Sequence, residues 1–263
     1  MVDSAIILSA GQGKRLLPYT EARPKCLLPL NGRSVLEWQL AALAANGFRK
    51  ATIVTGFCSD AVETMLRARA DDGLVTEVIY NPFFEVADNL GSCYMARAAM
   101  REGPFAIVNG DTLFHPALLA RAQAQATGDI TVTIDRKARY DDDDMKVSCS
   151  DGRLHTIGKH LTADVANAES IGMLFFSAEG GEIFADAVMS VLRQPEGLKK
   201  WYLSVIDRLA AAGRDVRVAD IAGEAWCEID FPRDLAAAGE ISARLHHEIS
   251  RFREDNPRRR TAI

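Results

Sequence analysis

Two glycines and five cationic side chains follow the first apolar run of the chain. The cations are Lys14, Arg15, Arg23, Lys25 and Arg33. With one anion, Glu21, they give residues 11–33 a net charge of +4 in a chain of 263 residues whose formal net charge is −5. Glycine lets a backbone approach a ligand closely, and clustered lysine and arginine side chains bind phosphate oxygens. The segment predicts a polyphosphate site, and a turn with solvated charges is the alternative.

Two common phosphate-binding loops do not fit this segment. The dinucleotide fingerprint requires a third glycine where this chain has Leu16. The P-loop requires a glycine at the position of Leu8 and a serine or threonine at that of Arg15. The segment is therefore neither of these loops.

Strand and helix patterns alternate through the first 135 residues. Strands are predicted at 2–9, 50–55, 74–80, 105–108 and 129–135, and helices at 34–47, 59–70, 90–101 and 115–125. This alternation predicts a parallel, doubly wound sheet. Ligands on such sheets lie beyond the carboxyl ends of the strands. The segments at those ends are residues 9–15, 109–111 and 228–230.

The second half of the chain predicts antiparallel additions to this sheet. Residues 146–159 form two alternating runs around Asp151-Gly152, which is typical of a β-hairpin. Further strands are predicted at 171–177, 216–219 and 225–229, and helices at 180–192, 199–212 and 232–252. Pro232 falls in the first turn of the last helix, where proline is tolerated.

The composition argues against several function classes. Mild acidity disfavours broad binding to nucleic acid or to an anionic membrane, and no stretch approaches transmembrane length. The five cysteines are odd in number and form no CxxC pair. We therefore expect neither a disulfide framework nor a zinc site, no secretion signal, and a cytoplasmic location. The five histidines lack metal-ligand spacing, and no nucleophile triad stands out.

The cationic segment, SAGQGKRL…PYTEARPKCLLPL, resembles the signature of sugar-phosphate nucleotidylyltransferases. That signature joins a glycine loop, an arginine and a Pro-Lys pair at fixed distance. The resemblance extends to NGD (109–111), IGK (157–159), ESIGMLFFS (169–177) and WCEIDFPRDL (226–235). The last three are most similar to bacterial cytidylyltransferases for phosphocholine, aminoethylphosphonate and inositol phosphate. Lys14 departs from the threonine or serine common in the family and adds a charge.

The resemblance implies a three-layer α/β/α Rossmann-like fold of the GT-A-like kind. It has a mixed, mostly parallel central sheet with a β-hairpin addition. We expect a single nucleotidylyltransferase domain over residues 1–252 and a flexible tail at 253–263. Within the domain, residues 1–136 would form a nucleotide-binding half, 137–231 an acceptor-binding half and 232–252 a C-terminal helix.

The same resemblance implies the substrates, since such enzymes join a nucleoside triphosphate to a phosphate or phosphonate and release pyrophosphate. We expect CTP, a small acceptor and Mg²⁺ as partners. Arg15 matches the arginine that grips the triphosphate, because its planar fork suits two oxygens. Lys25 matches the lysine beside the reacting phosphates. Further nucleotide contacts are expected from Leu8, Ala10, Gly11, Gly13, Asn89, Ser92 and Asp111. For Asn89 helix capping is the alternative.

Two carboxylates match the magnesium ligands of the family. They are Asp111, after the predicted strand at 105–108, and Asp230, after the strand at 225–229. Mg²⁺ takes few protein oxygens and completes its shell with phosphates and water. Each aspartate has a turn or helix cap as its alternative role. Glu228 lies two residues before Asp230 and is a candidate acceptor ligand, with a solvated role as the alternative.

The acceptor pocket is expected between residues 140 and 202. Lys159 matches a lysine that contacts the acceptor phosphate. Glu169 and Asp144, the last residue of an aspartate run, are candidates for binding a cationic headgroup such as choline. The alternative for the aspartate run is a solvated loop. Three aromatic residues are candidates for a wall around an ammonium group or for the core: Tyr140, Trp201 and Tyr202.

The expected function is transfer of CMP from CTP to phosphocholine, or else to 2-aminoethylphosphonate. A sugar-1-phosphate uridylyl- or guanylyltransferase would use the same residues. A non-catalytic nucleotide-binding regulatory protein is less favoured, because the cationic and acidic motif residues are all present. A glycosyltransferase is less favoured still, because the glycine-cation loop has no place in one. A homodimer through the C-terminal helix or residues 201–202 is a further expectation.

Overall fold

The computed structural model describes residues 2–255, so most of the predicted tail lies outside the described residues. The strands are β1 (Ser4–Ser9), β2 (Pro29–Leu30), β3 (Arg33–Ser34), β4 (Lys50–Thr55), β5 (Val75–Tyr80), β6 (Phe105–Asn109), β7 (Thr112–Phe114), β8 (Ile130–Asp135), β9 (Lys146–Ser150), β10 (Arg153–Ile157), β11 (Ala168–Phe176), β12 (Val216–Asp220) and β13 (Trp226–Glu228). The helices are α1 (Val35–Ala45), α2 (Ser59–Ala68), α3 (Asn89–Met95), α4 (Pro116–Gln125), α5 (Ala178–Leu192), α6 (Leu203–Ala211) and α7 (Asp234–Asp255).

The chain divides into two compact units. The first unit consists of Asp3–Pro82, Val108–Arg121 and Glu224–Ile263. The second unit consists of Met1–Val2, Phe83–Ile107 and Ala122–Gly223. No helix within residues 2–255 is long and apolar enough to cross a membrane. The prediction of one domain with two halves stays a prediction.

The first unit contains β1, β4 and β5, three of the strands that the alternating pattern predicts to be parallel. β4 pairs in parallel with β1 on one side and β5 on the other. β1 and β4 are almost entirely buried, in keeping with their continuous apolar sequences. After β6, the Gly110 N–H donates to the Leu8 carbonyl over 2.9 Å. This contact brings the carboxyl ends of β1 and β6 together.

The helices of the first unit form as their sequences predict. Ser34 caps α1 in a capping box with Glu37, and every other residue of this helix is buried. The Trp38 indole N–H donates to the Leu30 carbonyl over 2.9 Å. Ala238, Leu245 and Ile249 of α7 pack into the same core as Trp38. The apolar face of α7, a candidate dimer surface in the sequence, therefore lies inside this unit; the homodimer itself stays a prediction.

The second unit contains the mixed part of the sheet, with the order β11-β8-β12-β10-β9. β12 pairs in parallel with β8, whereas β11–β8, β10–β12 and β10–β9 are antiparallel. The hairpin predicted around Asp151-Gly152 is confirmed. Both turn residues have positive φ, 50° and 73°, as a type I′ turn requires.

Two predicted helices of the second unit are shorter in the structure. The segment predicted as one helix at 90–101 is α3 followed by a 3₁₀ turn at Ala99–Arg101. The helix predicted from 199 begins at Leu203, because Lys200 has an extended backbone (φ −96°, ψ 142°) that separates it from a 3₁₀ turn at Gly197–Lys199. The Tyr202 N–H donates to the Asn89 side chain over 2.9 Å. Tyr202 is fully buried and meets Phe184 edge-on, with ring centroids 6.5 Å apart. The core alternative for Tyr202 is therefore the correct one.

Candidate active site

The glycine loop after β1 is folded against the stem of Lys25. Gly13 has φ 78° and ψ 54°, a left-handed conformation. A Cβ on Gly13 would lie 3.0 Å from the Lys25 Cβ. The Thr20 hydroxyl donates to the Gly13 carbonyl over 2.8 Å and closes the loop. Gly13 is thus required both for its backbone conformation and for the close approach of Lys25.

We expect Gly13→Ala to destabilise the protein by about 1–2 kcal/mol, the usual cost of a left-handed conformation in a residue with a Cβ, and to displace Lys25. Gly11→Ala is the matched control, because a Cβ there meets no atom within 4 Å. Urea denaturation of both variants measures the difference. Equal stabilities would show that the loop relaxes around the added methyl group.

Lys25 lies between two carboxylates in the first unit. Its Nζ is 2.7 Å from Asp111 Oδ2 and 2.5 Å from Asp230 Oδ1. Burial lowers the pKa of Lys25, but the charges and hydrogen bonds of Asp111 and Asp230 outweigh that effect and raise the pKa above its usual value. The ammonium is therefore charged at neutral pH and held at a fixed position.

A short strand pair places the two carboxylates beside each other. β13 pairs antiparallel with β7 with Glu228 opposite Thr112. The next residue, Ile229, donates its N–H to the Asp111 carbonyl over 3.1 Å. Sequence periodicity does not predict this contact, because each strand has only three residues. The NGD sequence contributes Gly110, where a Cβ would come within 2.7 Å of the Leu8 carbonyl.

The start of α7 orients Asp230. One carboxylate oxygen of Asp234 accepts the N–H groups of Asp230 and Phe231 over 2.8 and 2.7 Å. Asp234 thus satisfies backbone donors in front of the helix. This helix was predicted from residue 232, and no role was predicted for Asp234. Its position four residues after Asp230, at the start of an apolar-periodic run, is the signal that would have identified it.

Arg15 binds the outer side of the same carboxylate. Its Nη2 lies 2.8 Å from Asp230 Oδ2, and the side chain is about half exposed. The guanidinium carbon lies 4.7 Å from the centroid of the Phe231 ring. A guanidinium held by a carboxylate and an aromatic face is oriented before any phosphate arrives. Arg15, Lys25, Asp111 and Asp230 therefore form one cluster; their catalytic and ligand roles stay predictions.

The geometry of this cluster fits a divalent cation of the magnesium type. Asp111 Oδ1 is buried and has no hydrogen-bond partner within the described residues. Such an oxygen is costly to leave unpaired, and a cation is a suitable partner for it. Within residues 2–255 no group of three or more histidine, cysteine or acidic side chains is placed to hold a metal. A cation bound here would be held by Asp111 and Asp230 together with phosphate oxygens and water, which is the usual mode of Mg²⁺ binding.

A second cluster of charges lies in the second unit. Lys137 Nζ is 2.7 Å from Asp144 Oδ2 and 2.8 Å from Glu169 Oε2. Burial of Glu169, partly offset by Lys137 and assisted by the Asp144 charge, raises its pKa to about 7. Asp144 and Glu169 were predicted as site residues, but Lys137 was not, because its loop has no periodicity and its pairing with Glu169 of β11 is long-range.

Glu169 is expected to make stability depend on pH. Its pKa of about 7 in the fold exceeds the ordinary value of 4.5, so its contribution to stability is present at low pH and lost as pH rises through 7. Glu169→Gln should flatten the fall in the free energy of unfolding between pH 5 and pH 7.5, by on the order of 2 kcal/mol. Urea denaturation at each pH measures this effect, with Glu182→Gln, an exposed residue, as the control. Parallel curves for Glu169→Gln and the wild type would assign the titration to another group.

Lys159 and Trp201 form a third contact, also in the second unit. Lys159 Nζ lies 4.9 Å from the centroid of the Trp201 ring and 3.5 Å from Asp143 Oδ1. The Lys146 ammonium donates to the Lys159 carbonyl over 3.1 Å and fixes the backbone there. Trp201 is 39% exposed, so its ring can line a binding pocket. The Lys159 ammonium already lies over the face of that ring.

The remaining predicted residues lie at several other positions. Asn89 is the first residue of α3, and its side chain accepts the Tyr202 N–H. Ser92 is buried in the same helix. Glu228 is half-buried at the end of β13. Leu8 offers its carbonyl to Gly110. The ligand roles assigned to these residues stay predictions.

Comparison with known proteins identifies the family. Residues 5–214 match the profile of the MobA-like NTP transferase domain. The chain belongs to the MobA-like NTP transferases. The resemblance to nucleotidylyltransferases found in the cationic segment is thereby confirmed.

Curated relatives of this NTP transferase include two from bacteria. This chain is 30% identical over 243 residues to the CMP-5'-(3-aminopropyl)phosphonate synthase of Streptomyces rubellomurinus. The match covers 89% of this chain and 38% of that protein. The chain is 29% identical over 241 residues to the bifunctional IPC transferase and DIPP synthase of Aquifex aeolicus, covering 90% of this chain and 51% of that protein. The chain thus spans about half or less of the length of these relatives.

The solved structure of the inositol-1-phosphate CTP transferase from T. maritima has the same fold. The TM-score is 0.76 at 23% identity, and the match covers 94% of this chain and 97% of that one. The predicted fold class, a Rossmann-like nucleotidyltransferase with a mixed sheet and an added hairpin, is confirmed.

Proposed function

We propose that this NTP transferase is a Mg²⁺-dependent cytidylyltransferase. It transfers CMP from CTP to a small phosphate or phosphonate and releases pyrophosphate. The observation that carries the proposal is the cluster in the first unit, where one buried ammonium and one guanidinium meet two carboxylates. Similarity to the aminopropylphosphonate and inositol-phosphate enzymes supports cytidine as the base.

In the proposed reaction an acceptor oxygen attacks the α-phosphorus of CTP in line. The new bond joins that oxygen to phosphorus, and the bond from the α-phosphorus to the bridging oxygen breaks, so that its electron pair leaves with pyrophosphate. Lys25 supplies a positive charge for the α-phosphate oxygens, on which charge grows. Arg15 holds oxygens of the triphosphate in its fork. Mg²⁺, held by Asp111 and Asp230, would neutralise further phosphate charge.

Lys25 has to change partners for this chemistry. In the structure its ammonium binds the two carboxylates that would hold the cation. Binding of a metal–nucleotide complex supplies positive charge to the carboxylates and negative charge to the ammonium. The lysine can then turn to the phosphates at little electrostatic cost, since each charge keeps an opposite charge beside it.

Pyrophosphate release tests the proposal. The purified protein is mixed with Mg²⁺, one of CTP, UTP or GTP, and one acceptor from a panel of phosphocholine, 2-aminoethylphosphonate, polyol phosphates and hexose 1-phosphates. We expect release with CTP and a non-sugar acceptor, and its loss when a chelator removes Mg²⁺. Release only with UTP or GTP and a hexose phosphate would favour a sugar nucleotidylyltransferase. No release with any pair would overturn the proposal and favour a non-catalytic nucleotide-binding protein.

A further inference from the structure

The cation-binding groups of the second unit are already occupied by lysines of the same chain. Asp144 and Glu169 share the ammonium of Lys137, at 2.7 and 2.8 Å. The face of Trp201 carries the ammonium of Lys159 at 4.9 Å. Paired carboxylates and aromatic faces are the groups that recognise a ligand ammonium. Both kinds of group are present in the second unit, and each already contacts a lysine ammonium.

The acidic pair is a built site and not a solvated surface. The Glu169 side chain is 6% exposed and that of Asp144 is 16% exposed. Asp144 also accepts the N–H of Asp141 over 2.6 Å, which holds it in place within the loop. Lys137 is 36% exposed, and its Nζ lies 5.9 Å from the centroid of the Tyr140 ring. The buried carboxylate thus faces a partly open ammonium beside an aromatic ring.

Building on the proposed cytidylyltransferase function, we propose that Lys137 determines acceptor specificity. It fills the cation position of the acceptor pocket, so the acceptor is a phosphate or phosphonate whose tail carries hydroxyl or carboxylate oxygens. A quaternary ammonium tail is excluded.

The ammonium of Lys137 presents a donor to such an oxygen. A lysine has three N–H donors, and two of them are directed at Asp144 and Glu169. Within residues 2–255 the structure gives it no third acceptor. The third donor, on the partly exposed side, therefore suits a ligand oxygen.

Displacement of Lys137 by a trimethylammonium group would be unfavourable. Lysine makes two charge-assisted hydrogen bonds here, and a group without N–H makes none. A tethered lysine also competes at an effective concentration in the millimolar range or above. Although burial alone would lower the pKa of Lys137, its hydrogen bonds to Asp144 and Glu169 raise it, so the competing charge persists at neutral pH.

The first test is turnover by the wild type and Lys137→Met. The ratio of kcat/KM for phosphocholine to that for glycerol 3-phosphate is measured by pyrophosphate release with CTP. We expect the wild type to prefer glycerol 3-phosphate and Lys137→Met to raise the ratio at least tenfold. Lys50→Met is the matched control, because Lys50 pairs with Glu77 over 2.9 Å at the start of β4. Phosphocholine as the best wild-type acceptor, or an equal loss for both acceptors in Lys137→Met, would overturn the proposal.

The second test does not depend on catalysis. Choline itself is titrated into each protein by calorimetry, and at least tenfold tighter binding to Lys137→Met than to the wild type is expected. Lys137→Gln, which keeps an N–H donor without the charge, replaces the methionine variant if that variant does not fold. Equal choline affinities would refute the occupied-site proposal. If no acceptor releases pyrophosphate, the proposed function fails, while the choline titration still decides the role of Lys137.

Discussion

Replacing Lys25 with methionine is expected to lower kcat/KM for pyrophosphate release by about 10²–10³-fold, the usual effect of removing a fixed electrostatic group. Methionine keeps the length of the stem that packs on Gly13 but removes the charge. Because Lys25 is only 14% exposed, solvent cannot replace that charge. Lys14→Met in the same loop is the control, since Lys14 is exposed, and should cost less than tenfold. Similar losses in both variants would mean that the loop acts through net charge alone.

The same variant has a second readout that does not require turnover. Without the ammonium, Asp111 and Asp230 repel each other at close range and are less solvated than in water. A divalent cation relieves that repulsion. Lys25→Met should therefore bind Mn²⁺, measured by electron paramagnetic resonance without nucleotide, more tightly than the wild type. Weaker Mn²⁺ binding would show that the two carboxylates do not form the cation site.

Asp111→Asn is expected to lower activity by a similar factor, about 10²-fold or more, because it removes one of the two charges opposite the cation. Asparagine has nearly the same shape, so the strand pair that places this residue should persist. The buried oxygen that lacks a partner, Asp111 Oδ1, becomes part of a neutral amide with a much weaker attraction for Mg²⁺. The measurement is the Mg²⁺ dependence of pyrophosphate release.

Asp3→Asn is the control for this prediction, because Asp3 forms an exposed ion pair with Arg49 at the start of the first unit. It should leave the Mg²⁺ dependence unchanged. If Asp111→Asn kept the wild-type Mg²⁺ dependence, Asp111 would not be a metal ligand. Loss of activity together with loss of fold, seen by circular dichroism, would instead indicate a structural role.

Much of the charged cluster of the first unit could be predicted, because its parts leave local signals and match a family motif. Arg15 and Lys25 stand in a glycine-punctuated cationic segment after an apolar strand, and Asp111 ends another such strand. Their meeting follows from the rule that strands of a parallel sheet end at one edge. The contact that sets Asp230 beside Asp111 leaves no such signal, because β7 and β13 are too short for a two-residue period to be visible.

Lys137, in contrast, is a residue whose role could not be predicted from the local sequence. It lies in a stretch of mixed charges after β8, where seven of the nine residues 136–144 are charged and such runs are usually solvated. Its role depends on contact with Glu169, which lies 32 positions later in the chain. The register of β11 beside β8 brings the two residues together. The tertiary hydrogen bond from the Tyr202 N–H to the Asn89 side chain has no local signal either. Side-chain contacts that depend on strand register are not encoded in local composition.

The cap at the start of α7 links the last helix to the charged cluster of the first unit. The Asp234 carboxylate holds the backbone of Asp230, and farther along the helix Gly239 and Ser242 accept the Asn31 side-chain amide over 2.7 and 2.8 Å. The helix therefore clamps two separate loops of the first unit at once. Fraying of its first turn would release the aspartate before the core opens, so heat should abolish activity at a lower temperature than it melts the sheet.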